Sequence, residues 1–209
     1  MKSITKALIC GVLIVIGLSF CSCDILFDLN DAVKYPEAYT LSYEVTSENG
    51  TVTTITKTVD ENGNIYYRNA DTEIVYIAEG SSYIKYEKKS DGSYAKMSSN
   101  KLTKKAVENE TAGIKTYAEE SKKQFMPTAK KENDAEMLGR ACEVYKLGVG
   151  TENNSSYTFY YVDKITGICL GIEVKNTALG QSVDYDGETF VCTEFSVSNI
   201  ENIANMISH

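Results

Sequence analysis

The stretch YTFYYVDKITGICLGIEVK, residues 157–175, constrains the fold more than any other. Tyr157 to Val162 is a run of aromatic and β-branched side chains, which are stiff at χ1 and pack well on a pleated surface. Asp163-Lys164-Ile165-Thr166-Gly167 breaks the run, and Gly167 is free to take positive φ. Ile168, Leu170, Ile172 and Val174 then alternate at a spacing of two. Strand, short loop and strand make an antiparallel hairpin. Alternation predicts that Phe159 and Tyr161, and across the hairpin Ile168, Leu170, Ile172 and Val174, face the interior. Glu173 and Lys175 should then point outward.

Much of the remaining chain repeats this grammar. Leu41, Tyr43 and Val45 alternate with Ser42, Glu44 and Thr46. Asn49-Gly50 reads as a two-residue hairpin turn. Further strands are expected at 51–59, 65–68, 74–78, 83–88 and 93–97, joined by tight turns into an antiparallel meander. Between Ser98 and Gly139 the period changes. Ile114, Tyr117, Ala118, Ser121 and Phe125 fall on one helical stripe, which Met126-Pro127 ends. A shorter helix is expected near Leu102. Strands resume at 139–149, the hairpin follows, a loop spans Asn176 to Asp184, and Glu188 to Val197 closes the sheet. Ser198 to Ser208 reads as a helix capped by Ser198 or Asn199, with Ile200, Ile203, Ala204 and Ile207 on one face. Only 2 of the 209 residues are Pro, which suits a chain made mostly of strands.

The amino terminus reads as a targeting segment. Lys2 and Lys6 precede an apolar run from Ala7 to Phe20, too short for a confident transmembrane helix. Leu18-Ser19-Phe20-Cys21-Ser22-Cys23 resembles the lipobox of bacterial lipoproteins, in which a diacylated Cys becomes the first residue. Small Ser22 before Cys23 favours Cys23 as the attachment site, with Cys21 as the alternative. An ordinary secretory signal and an uncleaved anchor are the other readings. The expected organisation is a signal peptide over 1–22, a tether over 23–38, and one domain over 39–209 with a helical insertion at about 99–137. Ile25, Leu26, Phe27 and Leu29 make the tether apolar enough to dock on the body or on a membrane surface.

The chain carries a net charge of −8, which argues against a nucleic-acid partner. Residues 85–131 nevertheless hold twelve lysines against six acids. Lys104, Lys105, Lys122, Lys123, Lys130 and Lys131 form either a solvated face or a contact for anionic headgroups. His209 is the only histidine, so Ser-His-Asp and Cys-His catalysis and histidine metal sites are not expected. Gly148-Val149-Gly150 lacks the spacing of a phosphate loop. The pairs Asp184 with Asp186 and Glu119 with Glu120 read as solvated carboxylates. Cys142, Cys169 and Cys192 match no zinc spacing. Cys169 and Cys192 either form a disulfide or stay buried as thiols. No enzyme activity, cofactor or metal is expected.

Gly139-Arg-Ala-Cys-Glu-Val-Tyr145, Tyr160-Tyr-Val-Asp-Lys-Ile-Thr-Gly-Ile168 and the closing Thr193-Glu-Phe195 follow a lipobox, a long meander and a helical interruption. In this order they resemble the LolA-like lipoprotein-carrier superfamily. The resemblance implies an α+β fold: a curved antiparallel half-barrel with helices covering one face and an apolar concavity for acyl chains. It carries over no catalytic residue. Tyr43, Tyr67, Tyr76, Tyr86, Phe159, Tyr161, Ile168, Leu170, Ile172 and Val174 are the candidate ligand-binding residues, or simply the core beneath the helices. The expected protein is exported and held on a bacterial membrane by its lipid, binding a lipid or other hydrophobic ligand. The alternative is a structural or adhesion-type surface lipoprotein with no small ligand.

Overall fold

The computed structural model describes residues 32–97, 100–119, 129–151, 153–185 and 187–207. The signal peptide, Cys21, Cys23 and most of the tether lie outside these residues. β1 (Tyr39–Thr46), β2 (Val52–Val59), β3 (Ile65–Asn69), β4 (Thr72–Glu79), β5 (Ser82–Lys88) and β6 (Tyr94–Lys96) form the meander that the periodicity predicts. β7 (Leu102–Thr103) adds to β5 and leads into α1 (Lys104–Glu110) and α2 (Gly113–Ala118). β8 (Lys130–Lys131) and β9 (Ala135–Met137) border β10 (Arg140–Gly150), which pairs with β11 (Ser155–Asp163) and then β12 (Cys169–Ala178). β13 (Gln181–Val183) folds back on β12, inside the segment expected to be a loop. β14 (Thr189–Ser196) lies between β1 and β12 and joins the two halves into one open sheet. Every pairing among the described residues is antiparallel.

The turns set the registers. Ser47–Thr51, Asp60–Asn64 and Lys89–Ser93 close in the same way: the first residue's N–H bonds the fifth residue's carbonyl, at 2.8–3.1 Å. The fourth residue is a glycine each time, with φ of 78°, 75° and 86° at Gly50, Gly63 and Gly92. Asn49-Gly50 is therefore the end of a three-residue loop, not a two-residue turn. The glycine takes the left-handed position that such loops require. Leu138-Gly139 and Leu179-Gly180 are the two-residue turns with positive φ at both positions, 54° and 71° in the first, 52° and 77° in the second.

The inner face carries the core. Tyr39, Leu41, Tyr43 and Val45 of β1, Ile55 of β2, Ile65 and Tyr67 of β3, and Ile74 and Tyr76 of β4 belong to one buried cluster. Val107 of α1 and Ile114 and Ala118 of α2 are buried in the same cluster. α1 starts where the Thr103 hydroxyl accepts from the Ala106 N–H, so a threonine cap fixes the helix that the sequence places near Leu102. The second expected helix ends at Ala118 among the described residues; Ser121 and Phe125 lie outside them.

The carboxyl-terminal segment differs from expectation. Ser198 and Asn199 cap no helix. Asn199 has φ 57°, and only a 3-10 turn at Ile203–Ile207 forms, with the Asn202 carboxamide accepting from the Ala204 N–H. This turn packs on β4 from the outer face of the sheet, opposite α1 and α2. Asp60, 2% exposed, fixes it by accepting the Ile203 N–H at 2.9 Å.

Leu138 holds a left-handed conformation that costs a branched L-residue about 1–2 kcal/mol. Leu138→Asn should stabilise the protein by about 1 kcal/mol and raise Tm by about 3 °C in a thermal melt. Leu138→Val should lower Tm, and equal Tm values for all three proteins would show that this turn stores no strain.

Candidate functional site

The three segments that carry the sequence resemblance meet at one point. Asp163, at the end of β11, is 1% exposed. Its carboxylate accepts from Arg140 Nε at 2.8 Å and Nη2 at 3.1 Å. It also accepts the Thr166 N–H at 2.8 Å and the Thr166 hydroxyl at 2.6 Å. Gly167, at φ 71°, returns its N–H to the Asp163 carbonyl, and the turn closes into β12. The Arg140 guanidinium lies 4.2 Å from the centre of the Phe195 ring of β14. The Thr166 carbonyl accepts the Lys34 N–H at 2.8 Å, so the entering chain docks on the same turn. A carboxylate this buried is tolerable because all four of its bonds are charge-assisted or come from the turn itself. The arrangement is a clamp: it presents no open position to a substrate.

The predicted ligand residues divide between the two faces. Tyr43, Tyr67, Tyr76, Ile168 and Leu170 are buried in the inner cluster. Ile172 packs against it, and Val174 lies on the same face, opposite Thr158. Tyr43 is closed off completely: its hydroxyl donates to the Cys169 carbonyl at 2.6 Å, and its ring packs 5.9 Å from Tyr117 and 5.8 Å from Phe190. Tyr86 and Phe159 are not with them, and Tyr161 packs against the cluster while sharing the opposite face of its strand. Tyr86 pairs with Val75 on the outer face. Phe159 pairs with Glu173 and Tyr161 with Gly171, so both rings share the face of Glu173 and Lys175. Lys175 Nζ sits 4.9 Å over Phe159, and the Tyr161 hydroxyl donates to Glu173 at 2.9 Å. The alternation also fails at Leu170. A bulge there opposes Val162 to Cys169 and Tyr161 to Gly171, so Ile168, Cys169 and Leu170 are all fully buried.

Lys57 was not among the predicted residues, yet it occupies the centre of the inner face. It pairs with Leu41 on one side and Tyr67 on the other and is 6% exposed. Its Nζ donates to the Thr111 hydroxyl at 3.1 Å, and among the described residues no carboxylate reaches ion-pair distance. Burial, then the nearby Lys115, lower its pKa to about 8, against a weaker pull upward from Glu108. The signal was present in the sequence, since Ile55, Lys57 and Val59 share parity. Thr111 in turn donates to the Val107 carbonyl. The Tyr76 hydroxyl reaches Glu110 at 2.8 Å, which also meets Lys85 at 2.7 Å. Polar groups of the sheet therefore hold the α1–α2 corner.

Cys142, Cys169 and Cys192 are buried and form no disulfide with one another; among the described residues β12 and β14 pair at Gly171 with Val191, which leaves Cys169 and Cys192 unopposed. Burial pushes the Cys142 thiol up to about 11 and the Cys192 thiol up to about 12, which keeps both protonated. The basic stretch is partly neutralised: Lys131 pairs with Glu143, Lys88 with Glu73 and Lys101 with Glu79. Lys104 and Lys105 are exposed on α1, and Lys122 and Lys123 lie outside the described residues. Among the described residues no group of His, Cys, Asp and Glu side chains converges as a metal site.

No family model matches the chain, and no curated protein matches it. Solved structures that it resembles include a MucA/MucB complex from Pseudomonas aeruginosa, at TM-score 0.37 and 12% identity over 81% of this chain and 54% of that one. A second is MucB alone, at TM-score 0.39 and 13% identity over 85% of this chain and 59% of that one. The chain spans little more than half the length of these proteins.

Arg140→Ala leaves Asp163 buried without its cation and should cost about 3–5 kcal/mol in urea unfolding; a loss below about 1 kcal/mol would show that the clamp is not needed. Lys57 acts through pH. Its folded pKa lies below the unfolded value of 10.5, so the buried ammonium destabilises the fold below about pH 8. Between the two pKa values the unfolded chain binds the proton and the folded chain does not, so stability rises with pH. Compared with Lys57→Met, the parent should gain about 2 kcal/mol from pH 7.5 to 9.5. Parallel curves for the two proteins would place Lys57 in contact with water.

Proposed function

We propose that this is an exported lipoprotein, held on a bacterial membrane through a diacylated Cys23 (alternatively Cys21). Its inner sheet face takes the acyl chain of a hydrophobic ligand where the α1–α2 pair covers it. The role is binding, not catalysis. One observation carries the reading. A face built from Leu41, Tyr43, Tyr67 and Tyr76 holds at its centre a lysine that, among the described residues, meets only a threonine hydroxyl of the covering segment. A core selected for stability alone is better served by an apolar residue there. A strongly perturbed ionisable group within an apolar face is a mark of a functional site. The resemblance to the lipoprotein-carrier superfamily supports the same reading, and Lys57 adds a cation suited to an acidic head on that chain. The covering helices are seven and six residues long, too short to be stable apart from the sheet. Displacing them needs a few hydrogen bonds, three buried apolar side chains and the Tyr117 ring to give way.

The test is binding of a fluorescent fatty acid by the full-length protein, with native mass spectrometry for a co-purified lipid. Lys57→Met should keep or raise Tm yet weaken fatty-acid binding about tenfold, the worth of one charge-assisted bond. If the parent binds no acyl chain and carries no lipid, the reading fails. The filled inner face is then a core and nothing more, and the protein is an envelope subunit without a small ligand.

A further inference from the structure

The outer face holds a cavity of about 440 Å³, well apart from the inner-face residues. Its floor is the sheet: Thr40 of β1, Thr58 of β2 and Tyr66 of β3. Glu194 and Ser196 of β14 extend the floor, and the carboxyl-terminal segment from Asn199 to Met206 forms the wall. Thr40 and Thr58 hydroxyls meet at 3.1 Å, which leaves the remaining hydrogen-bonding capacity of both oxygens for a ligand. The wall is fixed in place. Buried Asp60 holds the Ile203 N–H and the Asn64 carboxamide, both at 2.9 Å. The cavity is thus largely pre-formed and of a size that small molecules occupy.

The lining selects the ligand. Among the described residues no lysine, arginine or histidine lines it, whereas Glu194 and Glu201 do. Two carboxylates without a cation disfavour phosphates and other anions. The Asn199 and Asn205 amides supply donors and acceptors, and the Asn202 amide, whose oxygen accepts the Ala204 N–H, supplies donors. Carboxylates and hydroxyls are the acceptors that adjacent alcohol groups satisfy in pairs. Tyr66 and the side chains of Ile203 and Met206 supply an apolar surface beside them. This mixture matches a ligand with hydroxyls around its rim and C–H groups on its faces. We propose that the outer cavity binds a neutral, polyhydroxylated ligand, a mono- or disaccharide unit of a larger glycan. The site is independent of the acyl-chain reading of the inner face.

The experiment is a saturation-transfer NMR titration of the full-length protein with maltose and N,N′-diacetylchitobiose, with glucose 6-phosphate and putrescine as charged controls. At least one neutral disaccharide should bind, and at least tenfold more tightly than either control. Thr58→Phe fills the cavity from the floor and should abolish that binding with near-ultraviolet circular dichroism unchanged. Thr58→Val keeps the volume, loses one hydroxyl and should weaken binding three- to tenfold, which keeps the test decisive if the larger side chain unfolds the protein. Glu194→Gln should raise the affinity for glucose 6-phosphate. The proposal is overturned if neither disaccharide binds, if binding survives Thr58→Phe in a folded protein, if Thr58→Val leaves the affinity unchanged, or if a charged control binds as tightly.

Discussion

The buried contact between Arg140 and Asp163 orders everything on its side of the sheet. Asp163 ends β11, Thr166 and Gly167 turn the chain into β12, and Arg140 begins β10. One carboxylate therefore fixes three consecutive strands at a single level. The guanidinium then lies over Phe195, which ties β14 to the same point, and β14 is the strand that bridges the two halves. A carboxylate without these donors could not be buried, and an exposed turn would leave the order of β10, β11 and β12 to side-chain pairing alone. The clamp is thus a device for register. Its members are scattered over 56 positions of sequence, from Arg140 to Phe195, which is why they read as short separate motifs.

The sheet uses its two faces differently. The inner face carries large side chains and the helix pair. The outer face carries threonine and serine ladders, such as Thr40 with Thr58 at 3.1 Å and Ser42 with Thr56 at 2.8 Å. Such hydroxyl pairs satisfy one another across strands and need no cover. They leave room for the carboxyl-terminal segment to lie against the sheet without tight interlocking, and the outer cavity is the space that remains.

The meander was legible because its signal is local. Alternation sets each strand, and a glycine at the fourth position of each five-residue turn ends it. The helical stripe through Ile114 and Ala118 was legible for the same reason, whereas the choice between a Cys169–Cys192 disulfide and buried thiols depends on a non-local register and stayed open. Faces were harder to read. Parity propagates through a strand only until a bulge, and β12 has its bulge at Leu170, the residue on which the predicted face was centred. Parity also says nothing about which side of the sheet is inward. Phe159 and Tyr161 read as interior residues by type, but Lys146 and Lys175 lie over the Phe159 ring and the Tyr161 hydroxyl donates to Glu173. The carboxyl-terminal segment misled because Ile200, Ile203, Ala204 and Ile207 keep a helical spacing. Asn199 in the left-handed region and the pull of Asp60 on Ile203 override that weak propensity.

On the proposed reading, the filled inner face opens along the seam between sheet and helices. Interdigitated apolar side chains resist separation because pulling them apart opens voids that nothing fills. Here only Val107, Ile114 and Ala118 of the helices are fully buried, while Lys57, Tyr76 and Thr111 join the layers through hydrogen bonds. Water or a polar ligand head can replace a hydrogen bond at little net cost, whereas it cannot replace packing. Two helices this short lose their order once they leave the sheet, so separation and local unfolding are one event. On the proposed reading, a ligand that takes the exposed face must offset the packing and hydrogen bonds that the thirteen helical residues give up, and an acyl chain offers about 0.8 kcal/mol for each methylene buried. On the same reading, Lys57 sets the preference among such ligands. Among the described residues its ammonium donates to one hydroxyl, so in the proposed open form a carboxylate or phosphate at the same place would convert a destabilising group into a bound ion pair.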